Sequence, residues 1–112
     1  MTVPDFDVSG VPVRRQRRSL TQAGRVLVQD GRLALLTSYG REIDGAPVSE
    51  VRLARPWFAE LLGVAGRTVV TLRGKRYALR LPRAAREGLA GALGVARERA
   101  AKIAAHRRIV HP

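Results

Sequence analysis

A chain of 112 residues fits one domain of ordinary size and leaves no room for two. Apolar residues make up 46% and aromatics only 4%, so a packed core is feasible and must be built from Leu, Val and Ala. Cysteine is absent, which excludes disulfides, thiolate zinc sites and thiol nucleophiles.

Lys and Arg number 21 against 9 Asp and Glu, a formal charge of +12. Such an excess attracts phosphates, whether on nucleic acid or lipid headgroups, and acidic proteins. Lys75 and Lys102 are the only lysines. The preference for Arg beside much Ala, Gly and Val fits the codon use of a GC-rich genome. That bias explains Arg over Lys but not the shortage of acids. No run of about 18 apolar residues exists, so no helical membrane span is expected. Asp5 and Asp7 open the chain without the basic-then-apolar order of a signal peptide. The expectation is a cytoplasmic protein, with attachment to a membrane surface as the variant.

Residues 1–13 hold two prolines, two aspartates and no helical period, and predict a flexible leader. Arg14, Arg15, Arg17 and Arg18 follow around Gln16, a basic cluster that closes a leader segment of residues 1–18. By segment the charge is −2 for 1–13, +4 for 14–18, +5 for 19–82 and +5 for 83–112. The first hairpin turns at Asp30-Gly31, because Asp-Gly accepts the positive φ of a type I′ turn. That turn pairs Val28 with Leu33 and Val26 with Leu35 on an inward face, and Leu27 with Ala34 on the other. Tyr39-Gly40 and Asp44-Gly45 mark further turns. Residues 41–43 and 48–54 suit short strands, the second with Val51 and Leu53 inward and ended by Pro56. Trp57 to Gly63 reads as a short helix or folded loop laid on the sheet.

A second hairpin is predicted with Gly74-Lys75 as a type II′ turn. Leu72, Tyr77, Val70, Leu79 and Leu81 then face the core, while Arg73, Arg76 and Arg80 face out. After Pro82 the apolar period changes from two to about 3.6. Ala85, Leu89, Ala92, Leu93, Ala96, Ala100, Ile103 and Ala104 fall on one helical face. Gly94 either ends a first helix or lies within a longer one, and residues 95–112 read as a basic helical extension. Several strands followed by a helix, without βαβ alternation, give an α+β fold with a mostly antiparallel curved sheet or small barrel.

Residues 24–37, from Gly24-Arg25-Val26 through Asp30-Gly31 to Leu36-Thr37, resemble the opening hairpin of bacterial pleckstrin-homology-like and GRAM-like domains. Pro47-Val48-Ser49-Glu50-Val51 is similar to the segment before their next strand. Leu61-Leu62-Gly63 with Arg67 to Leu72 resembles a later loop and strand. Gly74 to Leu79 resembles the last hairpin arm, and residues 83–93 the closing helix. The resemblance covers residues 20–94, with residues 19–94 as the domain. It implies seven antiparallel strands capped by one C-terminal helix, and binding of phosphoinositides, peptides or proteins. No counterpart of the eukaryotic inositol-phosphate signature is found.

The candidate chemistry is binding. His106 and His111 are the only histidines, and neither pairs with a carboxylate at a motif spacing, so catalysis and metal binding find no constellation. No cofactor and no small-molecule substrate are expected. Gly63 to Thr68 lacks the Gly-Lys-Ser/Thr ending of a phosphate loop. Arg14, Arg15, Arg17 and Arg18 are candidate phosphate ligands or a solvated arm. Arg73, Lys75, Arg76 and Arg80 form an outward row whose alternative is an ordinary charged edge. Trp57 and Phe58 are core or lid residues, or a docking wedge. The helix, with Ala96, Ala100 and Ile103 on its apolar face, is too long for one small sheet. Its Ala-rich face suits helix packing better than membrane insertion. A protein adaptor or self-associating scaffold is therefore ranked first and an anionic membrane surface second. Nucleic acid comes third, because no recognition motif or set of stacking aromatics accompanies the charge.

Overall fold

The computed structural model describes residues 3–54 and 67–110, the side chains of 107–110 excepted. Seven strands are β1 (Phe6–Arg15), β2 (Arg18–Gln29), β3 (Arg32–Leu36), β4 (Glu42–Pro47), β5 (Val51–Leu53), β6 (Thr68–Leu72) and β7 (Lys75–Leu79). One helix, α1 (Arg83–Val110), follows them. All strand pairs are antiparallel, in the order β4-β3-β2-β1-β7-β6-β5. The sheet is not closed, since β4 and β5 form its two edges. It curls nonetheless: the Tyr77 hydroxyl on β7 donates to Asp44 Oδ2 on β4.

The first hairpin has the register expected of an Asp-Gly turn. Asp30 and Gly31 sit at φ 54° and 74°, Val28 pairs with Leu33, and Val26 pairs with Leu35. These four side chains are fully buried. In the second hairpin the loop is Arg73-Gly74, both at positive φ (50° and 86°), so Leu72 pairs with Lys75 and Val70 with Tyr77. The predicted Gly74-Lys75 turn is thus displaced by one position, which shifts the pairing by two residues. Because side chains alternate with period two, that shift keeps each face intact. Leu72, Tyr77, Val70, Leu79 and Leu81 are buried, while Arg73, Arg76 and Arg80 are exposed.

Residues 6–15 are not a flexible leader but the central strand of the sheet. β1 pairs along β2 and, at Val13 and Arg14, with β7. Val11 and Val13 are buried. Gly10, at φ 72°, has no partner between the pairs Ser9–Arg25 and Val11–Gly24. This bulge moves the inward phase from Phe6 and Val8 to Val11 and Val13, which breaks the alternation a sequence would show. Pro12 falls at a second register shift, where its missing N–H interrupts no regular pair. The body of the fold therefore begins before residue 19.

Asp44-Gly45 is also not a turn; both lie inside β4, and the turn is confined to residues 37–41. A Cβ on Gly45 would fall 2.6 Å from the Arg32 guanidinium, which crosses this position to reach Glu42. Residues 48–50 form a 3₁₀ turn ahead of β5 rather than a strand. Trp57, Phe58, the rest of that segment and Pro56 lie outside the described residues.

Pro82 accepts the first helical bond, from the Arg86 N–H at 2.9 Å. α1 then runs through Gly94 without a break. Leu89, Ala92, Leu93 and Ala96 are buried against the sheet and the 3₁₀ turn, whereas residues 97–106 are exposed. Gly88 faces the Phe6 ring, where a Cβ would stand 3.3 Å from Cε1. Among the described residues no helix is long and apolar enough to cross a membrane.

Candidate functional site

The β1–β2 turn at Gln16-Arg17 and the β6–β7 turn at Arg73-Gly74 are brought side by side because β1 pairs with β7. Between them lies an open cleft of about 470 Å³, lined by Arg15, Gln16, Arg17, Val69, Gly74, Lys75, Arg76, Tyr77 and Ala78. Four cationic side chains from two segments some 60 residues apart thus share one concavity. Among the described residues no Asp or Glu lines it.

The floor is built by Tyr77. Burial raises its hydroxyl pKa most, the hydrogen bond to Asp44 and that carboxylate's charge raise it further, and Arg15 opposes them; the result is about 12. Tyr77 is thus a neutral donor to Asp44 at physiological pH, with its side chain buried in the core beneath the cleft. The Arg15 guanidinium carbon stands 6.0 Å from the ring centroid, at the outer limit of cation–π contact. Gln16 holds φ 56°, a left-handed conformation that costs a side chain with a Cβ about 1–2 kcal/mol. Arg73 holds φ 50° at the facing turn. Both turns beside the cleft therefore carry backbone strain at residues other than glycine.

The predicted anion-binding residues divide. Arg15, Arg17, Lys75 and Arg76 line the cleft. Arg14 is half-buried; its Nη2 donates to the Arg17 carbonyl at 3.4 Å, and its Nε is buried without a partner. It braces the turn rather than lining the cleft. Arg18 opens β2 opposite Arg15, exposed and outside the cleft lining. Arg73 is turned to Glu50, whose Oε2 accepts from Nε at 2.8 Å. Arg80 lies past the end of β7, exposed, with its N–H bonded to the Pro12 carbonyl. Gln16 and Tyr77 join the cleft lining without having been read as site residues. The Arg73–Glu50 pair likewise spans 23 residues, and it follows only once Val51 is known to pair with Leu72.

Of the predicted protein-contact residues, Ala96 is buried in the core and so is not an open contact surface, while Ala100 and Ile103 are exposed. Among the described residues no group of three or more His, Asp or Glu is placed to hold a metal.

No protein-family model matches the sequence, and no curated protein matches it either. Among solved structures, the tandem PX-PH domains of Bem3 from Saccharomyces cerevisiae are similar in fold. The likeness has a TM-score of 0.53 at 14% identity, and covers 82% of this chain and 43% of that one. Together with the seven antiparallel strands and the C-terminal helix, it defines a pleckstrin-homology-like fold. This chain spans less than half the length of that tandem structure.

Proposed function

We propose that this chain is a non-catalytic binding module that docks on anionic phospholipid headgroups through the cleft of Arg15, Arg17, Lys75 and Arg76. It acts at the cytoplasmic surface of a membrane, within the bacterial pleckstrin-homology-like and GRAM-like group that the sequence resembles. One observation carries the reading: two basic segments far apart in sequence converge on a single concavity that no carboxylate lines among the described residues. Arginine offers paired N–H donors in a planar fork to phosphate oxygens, and Lys75 adds a mobile point charge. Each cation near an anionic bilayer is worth about 1 kcal/mol. The four together amount to roughly a thousandfold in partition, screened by salt.

Co-sedimentation with vesicles tests this. Anionic phosphatidylserine vesicles should pellet the protein and neutral phosphatidylcholine vesicles should not, with binding falling as salt rises. The double variant Lys75→Glu/Arg76→Glu should weaken binding by at least tenfold. Equal binding to neutral vesicles, or an unaffected double variant, refutes the reading. Preferential capture by duplex DNA at physiological salt would favour the nucleic-acid alternative.

A second reading, docking of a protein along the C-terminal helix, is favoured by a separate observation. α1 continues for 14 residues after Ala96, the last buried side chain among those described, a length of about 21 Å.

A further inference from the structure

The face of α1 that packs on the core does not stop where the core stops. Leu89, Leu93 and Ala96 are buried, and Ala100 and Ile103 continue the same line at spacings of four and three. That alternation is the seam one helix presents to another in left-handed packing. Ile103 is half exposed, one of the few large apolar side chains so placed among the described residues. The seam borders a groove of about 550 Å³ whose far wall is the Asp30-Gly31 turn. The overhang is also held in direction. Arg97 donates from Nε to the Val48 carbonyl at 3.2 Å and from Nη2 to the Val51 carbonyl, and Arg99 pairs with Asp5 at 3.4 Å.

Charge decides what lies in this groove. Arg97 and Arg99 fall on either side of the seam, while Glu98 lies two residues from Ala96, on the opposite side of the helix at 100° per residue. From Arg99 onward the sequence carries Arg99, Lys102, Arg107 and Arg108 and no acid. Among the described residues, Asp30 on the turn is the single carboxylate lining the groove. A second copy laid along the seam would set cations against cations, at a cost in a poorly solvated interface. We propose that the overhang of α1 binds an acidic amphipathic helix of a partner protein, whose apolar residues meet Ala100 and Ile103 and whose flanking carboxylates meet the cations around them. This rests on the protein-docking reading and names the partner's chemistry.

The probe is a synthetic peptide of about three heptads with Leu at the seam positions and Glu at the flanks. It is compared with a scrambled peptide of the same composition and with a Lys-flanked counterpart, by fluorescence anisotropy on the full chain. The seamed acidic peptide should bind at least tenfold more tightly than the scrambled one, and the Lys-flanked one should not bind. Ile103→Asp, an exposed position that leaves folding intact, should abolish the preference. Lys75→Glu/Arg76→Glu, at the distant cleft, should preserve it. Absence of preference for the seamed peptide overturns the proposal. Sedimentation of the peptide-free chain then separates the failures. A dimer dissociated by Ile103→Asp would leave helix docking standing with a second copy as occupant, whereas a monomer at high concentration would remove both.

Discussion

Leu79 and Arg80 are neighbours in sequence with opposite fates, and the pair tests the sheet register directly. Leu79 is fully buried; on one side it pairs with Val13 of β1 and on the other with Thr68 of β6. Truncation to Ala removes three carbons from between two hydrogen-bonded strands, which cannot close on the space as a loop would. The cost should lie in the upper part of the range for buried leucines, about 3–5 kcal/mol. In a domain of this size that lowers the melting temperature by roughly 10–20 °C. Arg80 is exposed, and the bond it makes to Pro12 uses its backbone N–H, which alanine retains. Arg80→Ala should therefore change stability by less than about 0.5 kcal/mol. Guanidinium denaturation of both variants and of the milder Leu79→Val, expected to lose about 1 kcal/mol, reads the ranking. If Arg80→Ala proved as damaging as Leu79→Ala, the faces of β7 would be exchanged. The cleft lined by Arg76 would then have no structural basis.

Two further outcomes follow from the cleft. The Tyr77 hydroxyl titrates near 12 instead of its ordinary 10.0, so the fold favours the neutral form. Its contribution is intact below about pH 10 and is lost as pH rises through about 12. Denaturation midpoints across that window should fall steeply for the native chain and less so for Tyr77→Phe; parallel profiles would show that burial and the Asp44 contact together do not hold the proton on Tyr77. Gln16→Gly relieves the positive φ at the β1–β2 turn, offset by glycine's greater freedom in the unfolded chain, for a net gain of about 0.5 kcal/mol. A loss of more than 1 kcal/mol in the same denaturation assay would mean that the Gln16 side chain holds the turn.

How much of this was legible depends on whether a residue's partner is near in sequence. Asp30-Gly31 encodes its own turn, and the register of β2 and β3 followed residue by residue. Around Gly74 the local signal was ambiguous. Gly74 suits either position of a two-residue loop, and a left-handed arginine at 73 is not written in the sequence. The inward and outward faces survived because displacing the turn by one position shifts the pairing by two. β1 was hidden by the bulge at Gly10 and by Pro12, each of which interrupts the period by which a strand is recognised. With β1 went the knowledge that Arg15 ends a strand paired to β7 and that Arg17 sits in the turn that follows it. The two basic clusters were thus visible separately, but their meeting depends on the contact between Val13 and Leu79.

The same pairings turn a bulk charge into a directed one. Asp7, Glu42, Glu50 and Glu87 each meet an arginine, at 25, 32, 73 and 83, and Asp5 meets Arg99. The hydrogen bond from Arg25 holds the Asp7 carboxyl below its usual range, and Arg32 does the same for Glu42. None of these carboxylates lines the cleft. Among the described residues these five acids thus pair with arginines away from the cleft lining, on the sheet, at the β6–β7 turn and on the helix. β2 links the cleft to the helix groove. It begins at Arg18 beside the cleft and ends at Gln29, next to the Asp30-Gly31 turn that walls the helix groove. Twelve residues of strand span up to about 40 Å. A headgroup in the cleft and a helix in the groove would be bound at opposite ends of that strand. Neither would obstruct the other, and if both proposals hold, the module would be able to hold a partner at a membrane surface.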